Sequence, residues 1–122
     1  VVASKLLEHN KRITVIETGT DAIVFKALSE HLDEKNLTGE LLDVNINHET
    51  FKTLMKEYQV IKQSDLVLGL MLTSHEEEQE LYIALLDNES ITEYKRLYGG
   101  PAGDARRWAL NVSLDLVRKK LL

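Results

Sequence analysis

Apolar and polar positions along the chain follow two different periods, and the places where one gives way to the other mark out the elements. Val2, Leu6 and Leu7 share one side of a short stretch, residues 2–9, that predicts an amphipathic helix ended by the polar run Asn10-Lys11-Arg12. Residues 13–16, Ile-Thr-Val-Ile, are β-branched and predict a buried strand. Beyond Gly19 the spacing of Ile23, Ala27, Leu28, His31 and Leu32 is helical. Residues 33–39 read as a polar loop, and Leu41-Leu42-Asp43-Val44 as a second strand or the end of a shortened one. Phe51, Leu54, Met55 and Tyr58 then fall at i, i+3, i+4 and i+7, which predicts a helix with Asn47 as its cap.

The uninterrupted apolar run at residues 66–72 predicts a central strand covered on both faces. Residues 74–79 read as a polar loop or helical turn. Residues 81–86 and 91–98 form a hairpin pattern about Asp87-Asn88-Glu89-Ser90, the second strand being more polar and suited to a sheet edge. Gly99-Gly100-Pro101-Ala102-Gly103 interrupts regular structure before a long helix from about Asp104 to the C-terminus. That helix carries one apolar stripe through Ala105, Trp108, Ala109, Val112 and Leu116 and another through Leu110, Leu114, Val117 and Leu121. The order helix, strand, helix, strand, helix, three strands, helix predicts a three-layer α/β sandwich with a mixed β-sheet.

Length and composition narrow what such a domain does. The 122 residues are expected to form one domain, residues 1–122, large enough for an ordinary core. The absence of cysteine excludes disulfides, thiol catalysis and thiolate metal sites, and a cytoplasmic location is the expectation. No apolar run is long enough to span a bilayer and no signal-peptide pattern opens the chain, so neither membrane insertion nor export is expected. A formal net charge of −5 argues against a nucleic-acid partner. Arg106, Arg107, Arg118, Lys119 and Lys120 gather near the C-terminus, where basic groups suit the negative end of a helix. His9, His31, His48 and His75 lack the spacing of a helical metal pair, and neither a metal nor a cofactor is expected.

The candidate chemistry lies where the first strand meets the next helix, at Glu17-Thr18-Gly19-Thr20. Thr18 or Thr20 can cap the helix, and Thr18-x-x-Asp21 has the form of a capping box, so these residues are accounted for by structure alone. The same turn also suits acyl transfer, which needs a hydroxyl or water nucleophile, a proton acceptor and N–H groups for an oxyanion. Thr18, Gly19 and Thr20 supply hydroxyls and backbone donors, with Glu17 as an acid-base or positioning group.

The succession Ile13-Thr-Val-Ile-Glu17-Thr18-Gly19-Thr20, then Ser64-Asp65-Leu66-Val67-Leu68, Leu81-Tyr82-Ile83-Ala84-Leu85, and Gly103-Asp104 before Arg106, resembles the C-terminal domain of the CinA competence-damage family. That resemblance implies an α/β domain that hydrolyses the amide of nicotinamide mononucleotide to nicotinate mononucleotide and ammonia, and that associates as a homodimer or higher homo-oligomer. The family's Glu-Ser-x-Thr-Gly-Gly turn falls on residues 17–22, which makes Thr18 the nucleophile and Glu17 and Thr20 its support. Gly19, Asp21 and either Arg106 or Arg107 are then substrate-binding, the arginines for an anionic group. Thr18 replaces a serine, and Asp21 and Ala22 replace two glycines. The family's Tyr-Ser-Asn stretch with its following lysine has no counterpart between Gly39 and Asn47, where Asp43 and Asn45 stand. Its Thr-Gly-Ile-Ala-Gly-Pro loop is absent after Leu70, where Thr73-Ser74-His75 follow. The alternative reading is a catalytically inactive member that binds a ligand or a protein partner.

Overall fold

Alternation of side chains along the first strand sets the layers. In β1 (Ile13–Thr18), Ile13 and Val15 enter one apolar cluster while Ile16 enters another on the opposite side of the sheet. The computed structural model describes residues 2–42, 46–75, 78–88 and 90–121. The remaining elements are α1 (Val2–Glu8), α2 (Ile23–Ser29), β2 (Leu37–Leu41), α3 (His48–Lys62), β3 (Leu66–His75), β4 (Glu78–Asp87), β5 (Ser90–Tyr98) and α4 (Ala105–Lys120). A single turn of 3-10 helix, Ala102–Asp104, leads into α4.

The sheet has the order β2-β1-β3-β4-β5; β1 runs parallel to β2 and β3, and β4 and β5 continue antiparallel. Val2 and Leu6 of α1, Val24 and Leu28 of α2, and Ala105, Ala109 and Val117 of α4 cover one face. Phe51 and Met55 of α3 cover the other. Crossing from β1 through α2 to β2, and back through α3 to β3, puts the two connecting helices on opposite faces, as right-handed crossovers require. The mixed sheet within an α/β sandwich is therefore the architecture expected from the pattern.

β3 is the spine. Leu66, Leu68, Leu70 and Leu72 face α4 and Val67 and Met71 face α3, all of them buried. Gly69 lies under α3, because a Cβ there would stand 2.4 Å from the Phe51 ring and 2.9 Å from Met55 Sδ. Along α4, Ala105, Ala109, Ser113, Val117 and Leu121 form the fully buried line, and Trp108, Leu110, Val112, Leu114 and Leu116 flank it half-buried on the same core. Small residues at its first positions let the helix sit close to the sheet.

Two expectations are corrected. The second strand is Leu37–Leu41, which begins within residues 33–39 read as a polar loop and ends at Leu41, where the strand is expected to start; it pairs Ile13 with Leu37 through Glu17 with Leu41. Leu42 lies beyond it, and Asp43 and Val44 fall outside the described residues. Only Leu37 of this edge strand is buried, so its sequence carries almost no apolar signal; pairing with β1 and a hydroxyl contact between Thr14 and Thr38 hold it instead. Residues 74, 75, 78 and 79 are likewise strand and not the loop or helical turn expected. β3 reaches His75 and β4 starts at Glu78, with the pairs Ser74 with Gln79 and His75 with Glu78, and Ser74 Oγ donates to Gln79 Oε1 at 2.8 Å. Glu76 and Glu77, between the strands, are outside the described residues.

The edge strand β5 is tied to α3 through a charged cluster. Tyr82 Oη donates to Glu93 Oε1 at 2.6 Å, and Lys52 Nζ lies 3.2 Å from the same oxygen and 2.8 Å from Glu49 Oε1. The Tyr82 hydrogen bond, and then Lys52, hold the Glu93 carboxyl below its ordinary value of 4.5. Glu49, and then Glu93, hold Lys52 above 10.5. A depressed carboxyl adds stability above its unfolded value and loses it as pH falls through the folded one. A raised amine adds stability below its unfolded value and loses it as pH rises through the folded one. Urea unfolding across pH should therefore show this contribution between those limits, and Glu93→Gln should flatten the acid side of the profile relative to the wild type.

Candidate functional site

Glu17 and Thr18 end β1 and, as adjacent strand residues, turn to opposite faces. Glu17 faces α2. The residue is 1% exposed, and its carboxylate accepts three hydrogen bonds: from Thr20 Oγ1 at 2.7 Å and Val24 N at 3.1 Å on Oε1, and from Phe25 N at 2.9 Å on Oε2. The N-terminal N–H groups of α2 are thus satisfied by a carboxylate from the strand before it, where negative charge also suits the helix dipole. The caps expected of Thr18 and Thr20 do not form. The N-cap is Ala22, which has no capping side chain, and Thr20 is fully buried with its hydroxyl on Glu17. Thr18-x-x-Asp21 does not close as a capping box either, since Asp21 is exposed and pairs with Lys26 Nζ at 3.4 Å.

The turn between β1 and α2 is held in an unusual backbone form. Gly19, Asp21 and Ala22 have φ of +80°, +55° and +57°. Glycine is required at residue 19 on two grounds, since a Cβ there would lie 2.1 Å from the Leu72 carbonyl oxygen. Asp21 tolerates the left-handed region, whereas an alanine there costs about 1–2 kcal/mol. The exposed Asp21–Lys26 pair contributes at most about 1 kcal/mol. Hydrogen bonds to a charged group contribute roughly 1.5–3 kcal/mol each, so the Glu17 carboxylate is what holds the turn.

Thr18 faces the α3 side and lines a crevice of about 550 Å³ with Gly19, Asp21, Leu42, Thr73 and Arg106. The crevice opens at the carboxyl ends of β1 and β2, beside the outer part of β3, and open α/β sheets place ligands outside the carboxyl ends of their strands. Arg106, exposed in the first turn of α4, is the cation of the lining; Arg107 is exposed and stands outside it. Of the residues singled out from sequence, Thr18, Gly19, Asp21 and Arg106 therefore meet in one crevice, while Glu17 and Thr20 lie beneath it in the cap of α2. Thr73 and Ser74 enter the lining because β3 runs past its apolar run, an extension without hydrophobic signal. The N–H groups of Thr20, Asp21 and Ala22 meet no backbone acceptor among the described residues. No cluster of three or more histidine, aspartate or glutamate side chains able to hold a metal occurs among the described residues, and no helix there is long and apolar enough to cross a membrane.

Replacing Glu17 by glutamine keeps one acceptor oxygen but turns an NH₂ toward the helix donors. Glu17→Gln should lower stability by about 2–3 kcal/mol, read as a lower urea midpoint at unchanged slope. Ala22→Gly relieves the left-handed alanine and should raise stability by about 1 kcal/mol in the same measurement.

No family model and no curated protein sequence matches the chain. Solved structures do. A competence or damage-inducible protein from Enterobacter asburiae superposes with a TM-score of 0.81 at 16% identity, over 99% of this chain and 94% of that one. A competence-damaged protein (CinA) superfamily member from Klebsiella pneumoniae gives a TM-score of 0.81 at 13% identity, over 98% and 92%. A CinA superfamily protein from Enterobacter cloacae gives 0.81 at 16%, over 99% and 88%. At these identities the common property is the fold, and over nearly its whole length this chain has the fold of the CinA superfamily structures.

Proposed function

We propose that the crevice beside Thr18 is the ligand site of a CinA-like amidohydrolase domain, and that its ligand is a phosphorylated pyridine nucleotide of the nicotinamide mononucleotide type. The observation that carries the reading is that Thr18 and Arg106 line one crevice at the end of the parallel strands. Arg106 suits a phosphate because its planar fork matches two oxygens at once. Thr18 Oγ1 attacks the amide carbonyl carbon, and its proton passes to the departing amide nitrogen. The C–N bond breaks, ammonia leaves with an added proton, and water then hydrolyses the threonyl ester to the free acid. The turn N–H groups are the available donors for the oxyanion.

A second reading, binding without turnover, is favoured by the state of Glu17. Both its oxygens are engaged on α2 and on Thr20, and it lies on the other face from Thr18. The titratable base in the described lining of the crevice is Asp21, whose exposed carboxylate pairs with Lys26 Nζ at 3.4 Å and is not seen on Thr18. A nucleophile without an adjacent base is weak.

One pair of measurements separates the readings. For the amidohydrolase, ammonia is released from nicotinamide mononucleotide, and Thr18→Ala abolishes release while leaving the melting temperature near that of the wild type. For the binding module, the nucleotide raises the melting temperature without ammonia release, and Arg106→Ala removes the rise. Neither release nor stabilisation would overturn both.

A further inference from the structure

β5 closes one side of the sheet, and none of its nine residues is buried. No strand among the described residues pairs with its outer edge. Such an edge offers a row of backbone donors and acceptors to another chain. Its side chains alternate, with Ile91, Glu93, Lys95 and Leu97 on the α3 face and Thr92, Tyr94, Arg96 and Tyr98 on the α4 face. Leu97 is 66% exposed. Glu93 is held from behind, since Lys52 and the hydroxyl of Tyr82 both meet its Oε1, and Tyr82 is itself fixed by the His48 ring stacked on it at 3.7 Å. No donor to Glu93 Oε2 and no ion pair of Lys95 occurs among the described residues.

We infer that β5 pairs with the β5 of a second copy of this chain, antiparallel and centred on Tyr94, so that the two sheets become continuous. The pleat restricts the choice of register. Along an antiparallel edge, residues that turn their N–H and C=O outward alternate with residues that turn them inward. Two copies of one strand therefore match odd positions with odd and even with even, and the two-fold axis passes through a residue. Charge then selects which residue. Centring on residue 93 sets Glu93 against Glu93, and centring on residue 95 sets Lys95 against Lys95, and like charges directly opposite are destabilising. Centring on Tyr94 sets Glu93 against Lys95 of the second copy and Ile91 against its Leu97, each twice by symmetry. It also pairs the strand over its whole length, Ser90 with Tyr98. The same charges repel the neighbouring registers, which is how a sheet edge admits one partner without inviting others. The inference is independent of the ligand proposed above, because β3 and β4 separate this edge from β1 and Thr18.

Light scattering or sedimentation of the whole chain over micromolar concentrations should show a dimer. Lys95→Glu sets like charges opposite each other twice across the interface and should weaken the dimer about tenfold or more. Glu93→Lys should do the same. An equal mixture of the two variants should recover the dimer, because glutamates on one copy then meet lysines on the other at both places. The chain has no cysteine, so Tyr94→Cys puts a unique thiol at the axis. Directly opposite Cα atoms are about 4.5–5.5 Å apart, within disulfide reach, and mild oxidation should link Tyr94→Cys but not Thr92→Cys, which faces Arg96. A wild-type monomer throughout the range, a dimer that Lys95→Glu leaves intact, variants that do not recover on mixing, or equal linking at residues 92 and 94 would each overturn the interface. If Glu93→Lys fails to fold on losing Tyr82 and Lys52, Lys95→Glu and the two cysteine variants decide it by the same outcomes.

Discussion

A carboxylate taken out of water is tolerated only where donors replace its hydration, and at Glu17 those donors are the first N–H groups of α2 and one threonine hydroxyl. This links β1 to α2 by charge-assisted hydrogen bonds. Because the link crosses the turn at residues 19–22, it also fixes the backbone that brings Thr18 to the crevice. Gly19 lies against the Leu72 carbonyl, so the same turn is registered against β3. The floor of the candidate site is thus determined by one buried anion and one close backbone approach.

Elements whose side chains are divided cleanly between core and solvent were legible from the sequence. The stripe of α3 with its Asn47 cap and the buried line of the last helix carry that division, and β3 and β4 were legible instead as uninterrupted apolar runs. β2 and the outer part of the β3–β4 hairpin were not legible, because their residues are held by strand pairing with little burial. Thr38, Gly39 and Glu40 are polar or small, yet each pairs with a β1 residue; Gly39 is also the place where the Phe25 ring approaches to 2.3 Å from a would-be Cβ.

The candidate site was legible in position more than in role. Thr18, Gly19, Asp21 and Arg106 converge as anticipated, but the capping attributed to the threonines belongs to Glu17, seven and eight residues before the N–H groups it meets. Local rules for helix ends look within a few residues of the end itself, so they do not reach a cap supplied by the preceding strand. The His48–Tyr82 stack was hidden for a similar reason, since the two residues are far apart in sequence and meet only when α3 lies on β4.

Supplying the cap of α2 from β1 relieves residues 18–22 of a task that usually fixes their identity. Asp21 and Ala22 keep left-handed backbone angles without glycine, at an energetic penalty small beside the hydrogen bonds that enforce the turn. Sequence drift in this loop is therefore buffered by a single glutamate. A chain built this way can change the letters of this loop and still return the same strand, turn and helix to the same place in space.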